Sequence, residues 1–276
     1  MTPLSTQVSL PNELDEAIAQ AQTATQAALA AGYTRLQVEI LIPELKMQPV
    51  AQQFIQAWAD LGPKLRIFFP DPGAAALARR DWGEIPYPVR GIEDVKAEIQ
   101  PEESLFIFIE PSSVELEAVE KLCREAGERP VVFLNPTLVD VVNVGVGYAA
   151  RQMRDRFLNS LTPCYYLKPL DQALLFHVYA HPWQLWLEAE VTNLTQGHST
   201  QTPSTQEIFV TPDAGSNANS NPDSSGDYQL IAEFSTKPDL ETIAKTLAGP
   251  EEIVAAPTPN QASPGLLGQL QRLLGL

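Results

Sequence analysis

The chain alternates between two hydrophobic rhythms over its first half. From Pro11 to Gly32, apolar residues recur at helical spacing, with Leu14, Ile18, Ala21, Ala28 and Leu29 on one face. Pro11 and Asn12 supply a start signal and Gly32 a stop. Arg35 to Ile42 then alternates every second residue, which places Leu36, Val38, Ile40 and Ile42 on one side and Arg35, Gln37 and Glu39 on the other. A strand with one less buried face follows from that period. Val50 to Leu61 predicts a helix, Leu65 to Phe69 a short strand, Ile92 to Ile99 a helix, Leu105 to Ile109 a strand, Val114 to Ala126 a helix and Val131 to Leu134 a strand. Continuous apolar runs such as Phe106 to Ile109 suit strands covered on both faces, which is the mark of a parallel sheet between helical layers.

After about residue 160 the rhythm changes. Cys164 to Leu167, Ala173 to Ala180, Gln184 to Val191, Glu207 to Thr211 and Tyr228 to Phe234 are strand-like, with no helix between them. The expected fold class is therefore α/β: a Rossmann-like, mostly parallel sheet flanked by helices in the N-terminal half, continued by antiparallel strands in the C-terminal half. Asp239 to Leu247 predicts a last helix. The domain spans residues 9–248. Within it, residues 192–227 form a polar insertion rich in Ser, Thr, Asn, Gln and Gly, whose composition cannot repay the entropy of ordering, apart from a short strand near 207–211. Residues 249–264 read as a Pro/Ala-rich tether. Residues 265–276 read as an amphipathic helix whose apolar stripe is Leu266, Leu267, Leu270, Leu273 and Leu274.

Composition narrows the function. The formal charge of −16, from 18 basic and 34 acidic side chains, repels phosphate backbones and gains nothing from counterion release, so nucleic acid is not an expected partner. No stretch approaches the roughly 20 apolar residues a membrane span requires. Met1 to Leu10 lacks the basic start and apolar run of an export signal, which gives cytoplasmic residence as the expectation. Cys123 and Cys164 have no CxxC partner and read as free thiols.

Candidate chemistry lies first at the carboxyl ends of the parallel strands, where α/β proteins hold ligands. Asp71 follows Phe69 closely, Glu110 follows Ile109 and Asn135 follows Leu134. Such residues also end strands and cap helices for purely local reasons. Gly145 and Gly147 fit G-x-G-x-x-A, with Arg151 and Arg154 beyond them, an arrangement that could cradle a phosphate, although no ribose-binding acid follows at the expected distance. His177 and His181 are four apart, which in a strand separates them by about 13 Å, too far to share a metal. No nucleophile elbow, P-loop or zinc-hydrolase motif occurs, so no catalytic residue, metal or cofactor is assigned. Trp183 and Trp186, three apart in a strand, point to opposite faces. Trp183 joins the C-terminal leucines as a candidate partner contact, because aromatic residues dominate interface hot spots.

Several landmarks, taken in order, resemble a domain family of unknown biochemical function found in cyanobacteria and chloroplasts. They are the Leu10-Pro11 helix start, the strand Arg35 to Glu39, the Asn135-Pro136 corner, the Gly145-x-Gly147 turn leading to Arg151 and Phe157, the run Tyr165 to Leu170, and Pro182-Trp183. That family includes a low-photosystem-II-accumulation assembly protein, and its domain also follows a chloroplast adenylate kinase. The resemblance implies an auxiliary role in assembling or regulating photosynthetic complexes, with a protein client such as a photosystem II subunit or assembly factor. It also implies a cytoplasmic or stromal position, peripheral to the thylakoid membrane. The alternative is a nucleotide- or phosphometabolite-binding protein, or an enzyme, using the strand-end crevice.

Overall fold

The computed structural model describes residues 8–95, 97–138, 157–188 and 228–248. Helix α1 (Leu14–Ala30) buries Ala17, Ile18, Ala21, Ala24, Thr25 and Ala28, a face of small side chains that lets it lie close on the sheet. It stops where Gly32 takes φ 91° and the Tyr33 amide donates back to the Ala28 carbonyl at 3.1 Å, a closure that favours glycine. Strand β1 (Arg35–Ile40) leads to α2 (Met47–Ile55) and a 3-10 stretch over Gln56–Lys64, which kinks at Gly62. Next come β2 (Leu65–Phe69), α3 (Pro72–Trp82), β3 (Val89–Gly91), β4 (Leu105–Ile109), α4 (Leu116–Ala126) and β5 (Val131–Leu134). After residue 157 a short 3-10 turn precedes β6 (Thr162–Leu170), β7 (Ala173–Val178), β8 (Trp183–Glu188), β9 (Tyr228–Phe234) and α5 (Leu240–Ala248).

These strands form one sheet in the order β3-β2-β4-β5-β1-β6-β7-β8-β9. Every pairing from β3 to β6 is parallel, and every pairing from β6 to β9 is antiparallel. The expected class is thus the observed one, and β6 is the strand at which the sheet changes direction. Three elements differ from the sequence reading. The stretch from Ile92 forms turns where a helix was expected, because Ile92 and Ala97 are drawn into the core while the Asp94 and Ala97 amides close tight loops onto Gly91 and Asp94. Conversely, α3 and β3 lie in a stretch that gave no hydrophobic period. Gly91 at the end of β3 is required by contact, since a Cβ there would stand 2.6 Å from the Pro72 nitrogen at the start of α3. The Gly145–Gly147 turn, Arg151 and Arg154, the insertion, the tether and the C-terminal leucines lie outside the described residues.

Helices cover the sheet on both sides. Packed on the first face are α1, α2 and α3, over Leu36, Val38, Ile40, Ile67 and Ile107. On the second face, α4 lies over a ladder of phenylalanines from adjacent strands. Phe68 and Phe108 stack at 4.7 Å, Phe108 and Phe133 at 5.2 Å, and Phe157 closes the row edge-on at 6.3 Å. Offset stacks of this kind add about 0.5–1.5 kcal/mol per pair beyond their buried area. Further along the same face, α5 sets Ile243 against Leu175, Trp183 and Leu185. Arg35 ties the layers together: its guanidinium donates to the carbonyls of Cys123 and Gly127, capping the end of α4, and to that of Arg129.

One ion pair is almost wholly buried. Arg66 of β2 is 6% exposed and Glu103 is 3% exposed, and the Arg66 Nε donates to Glu103 Oε1 at 2.6 Å. The Gln100 amide takes the other carboxylate oxygen at 2.8 Å. Glu103→Ala should therefore destabilise the protein by about 3–5 kcal/mol in urea unfolding, since it removes the carboxylate paired with a buried guanidinium. A loss below about 1 kcal/mol would show that water reaches this site.

Candidate functional site

Two polar constellations emerge from this architecture. The first sits at the carboxyl ends of β2, β4 and β5, three neighbours in the sheet, which sets Asp71, Glu110 and Asn135 along one edge. The uses to which the fold puts them differ. Asp71 is the N-cap of α3, its Oδ1 accepting the Ala74 amide at 2.9 Å. Asn135 is 8% exposed and acts as an extra rung of the sheet: its Oδ1 accepts the Ile40 amide at 2.6 Å and its Nδ2 donates to the Ile40 carbonyl at 2.8 Å. An amide side chain carries one donor and one acceptor group, which is what a peptide unit needs at the end of β1. The Asn135 amide is thus spent on the sheet, and one Asp71 oxygen on the first turn of α3.

Glu110 is the exception. It follows β4 as Asn135 follows β5, both with φ 48°, and its amide donates to the Leu134 carbonyl just as the Asn135 amide donates to Val38. Asparagine tolerates the left-handed region, whereas glutamate pays about 1 kcal/mol or more to enter it. The Glu110 carboxyl, raised above the ordinary carboxylate range by partial desolvation, faces an open depression of about 550 Å³ lined also by Lys46, Met47, Gln52, Asp81 and Trp82. Gln48 donates to Asp81 at 2.8 Å along one wall. Two carboxylates and a single lysine make this a poor cradle for a phosphate.

The second constellation was not foreseen from the sequence. Glu39 of β1 pairs with Tyr166 of β6, and Tyr166 pairs with His177 of β7. Trp183 of β8 stands next in register, and its indole stacks on the His177 imidazole at 4.5 Å and 7°. Tyr166 and Trp183 meet at 5.0 Å. Above this row lies Lys237, from the connection between β9 and α5, with Nζ 4.0 Å from the Tyr166 ring centre, 5.5 Å from that of Trp183 and 3.6 Å from Glu39 Oε2. Burial pushes the Glu39 carboxyl up and the Lys237 ammonium down, while their mutual attraction opposes both shifts.

Trp183 is 4% and Trp186 7% exposed, on opposite faces. Their alternation is as expected, but both are covered because both faces of the sheet are layered. Trp183 therefore offers no exposed anchor. His177 is buried too, its Nε2 at 3.2 Å from the Pro163 carbonyl and its Nδ1 without a partner among the described residues. The legible signal for the row was Glu39, whose place on the polar side of β1 follows from period two; Lys237, in a short turn, carried none.

Residues 11–209 match the sequence model of a family described as a domain of unknown function, DUF1995. Among the described residues no helix is long and apolar enough to cross a membrane.

The strand ends give a paired mutational test. Asn135→Gly should cost about 2–4 kcal/mol by leaving both Ile40 groups unpaired, whereas Glu110→Gly should be neutral or stabilising by about 1 kcal/mol because it only relieves left-handed strain. Equal losses at both positions would refute this division of roles. His177 gives a pH test. Burial lowers its folded pKa below the ordinary 6.5, so the unfolded chain binds the extra proton first and stability falls as pH drops below 6.5 toward the folded value. His177→Phe should flatten the unfolding free energy between pH 7 and 5; an unchanged slope would place the titration elsewhere.

Proposed function

We propose, from the premise that the chain belongs to the DUF1995 family, that it is a non-catalytic auxiliary factor acting by protein binding in the assembly or regulation of photosynthetic membrane complexes, photosystem II foremost. The observation that carries the non-catalytic part is the use of Asn135 and Asp71. The Asn135 amide is taken by Ile40, and one of the two Asp71 oxygens by the first turn of α3. The remaining strand-end group, Glu110, shares its depression with a second carboxylate, an arrangement that repels the phosphates a nucleotide or phosphometabolite would bring. The photosynthetic part rests on the resemblance of the ordered landmarks from Leu10-Pro11 to Pro182-Trp183 to a family that includes an assembly factor for photosystem II. Its client is accordingly a photosystem II subunit or another factor, met at the cytoplasmic or stromal surface of the thylakoid.

Deleting the gene in its host should lower the amount of assembled photosystem II, scored by immunoblotting of native gels, and the purified protein should retain photosystem II assembly intermediates from detergent-treated membranes. Normal accumulation in the deletion strain would sink the assembly role. Nucleotides and phosphorylated metabolites should leave the melting temperature unchanged, because a ligand at 100 times its Kd would add about 2.7 kcal/mol and be seen at once. A shift with one of them would instead favour a small-ligand function at the strand ends.

A further inference from the structure

We infer that Tyr166, Trp183 and Glu39 form a receptor for an organic ammonium group, and that Lys237 is its internal occupant. Two aromatic faces with a carboxylate at their margin are the elements that recognise alkylated or primary ammonium ions, through the negative ring faces and one opposite charge. Here the walls stand on three strands, β1, β6 and β8, and are fixed by the sheet. Glu39 is 8% exposed, so its carboxylate is largely stripped of water and needs a cation close by. The cation that answers it comes from elsewhere. Lys237 lies in the short connection after β9, its side chain is 45% exposed, and its 3.6 Å approach to Glu39 is longer than a charged hydrogen bond. Walls set on the sheet are thus filled by a half-exposed side chain from a connecting segment, and a cation presented by a partner can replace it.

Two sources share this chemistry: a lysine-like amine on a protein partner, and a free quaternary ammonium compound. Because Lys237 is tethered at an effective concentration on the order of millimolar, an outside ammonium must reach that range to displace it from the intact protein. The inference stands apart from the photosystem assignment, since it depends on the chemistry of the row and not on the identity of a client.

The test empties the site and refills it. Lys237→Ala should lower the melting temperature, and n-butylammonium, a stand-in for the lost side chain, should restore it while changing tryptophan fluorescence saturably. Trp183→Phe in the same background should abolish the fluorescence change. Lys168 also acts on Glu39, so Lys168→Ala with Lys237→Ala guards against the cage filling itself. Adding Glu39→Gln should weaken n-butylammonium at least about tenfold, the scale of one charged contact. Tighter binding of n-butylammonium than of tetramethylammonium would identify a lysine-like partner group, and the reverse order a quaternary head group; either upholds the receptor. In the unaltered protein, n-butylammonium should change the tryptophan fluorescence saturably only in that millimolar range, above the concentration that the Lys237→Ala variant needs. No saturable binding of either cation by the folded variants, or equal n-butylammonium requirements with and without Lys237, would overturn the inference. Neither result depends on photosystem II accumulation.

Discussion

The backbone of β1 sets the terms for everything around it. It is the middle strand of the nine, with parallel partners β5 and β6 on its two sides, and it is buried on its first face by α1. A buried peptide group left without a partner costs about 1–3 kcal/mol, so every amide and carbonyl along this strand has to be matched. β5 ends at Leu134, before β1 does, and Asn135 supplies the missing rung with its side chain. The left-handed turn at Asn135 is what aims that amide back at Ile40. A residue that looks like a ligand-binding asparagine at the end of a strand is thereby committed to holding the centre of the sheet.

The same central position shapes the second face. Over β2, β4 and β5 that face is phenylalanine under α4, and over β7 and β8 it is apolar under α5. Between these two covers lie β1 and β6, which present Gln37, Glu39 and Lys168 on the same side. Burial alone would make Glu39 costly there. Lys237 and the rings beneath it reduce that cost by supplying a charge and a polarisable wall. Polar chemistry therefore collects midway along the sheet face, besides its strand ends.

The fold was legible where period and burial agree. Continuous apolar runs in β2, β4 and β5 have no other stable use than a strand covered on both sides, and the alternation from Arg35 to Ile40 fixed which side of β1 would be polar. Short elements escaped because their causes are tertiary. β3 is three residues that bury one side chain, Val89, and need Gly91 to clear Pro72, and α3 owes its start to the Asp71 cap more than to an apolar stripe. The candidate site was partly legible for the same reason. Spacing along the chain put Asp71, Glu110 and Asn135 at strand ends, but only the pairing of strands shows which carboxylate or amide is already taken. The row from Glu39 to Trp183 gathers residues from four strands and could not be assembled before the strand order was known.

The parallel pairing of β1 with β6 joins Ile40 to Leu167. A ribosome adding about 5–20 residues per second needs roughly 6–25 seconds to make the chain between those two partners. Throughout that interval β1 has been synthesised, with Leu36, Val38 and Ile40 bound for the core, while both neighbours are missing until β5 is made at Val131–Leu134 and β6 is missing to the end. The nascent chain therefore carries an open, sticky strand edge for much of its synthesis, and its safe arrival depends on α1, made earlier still, shielding one side of that strand until β6 emerges.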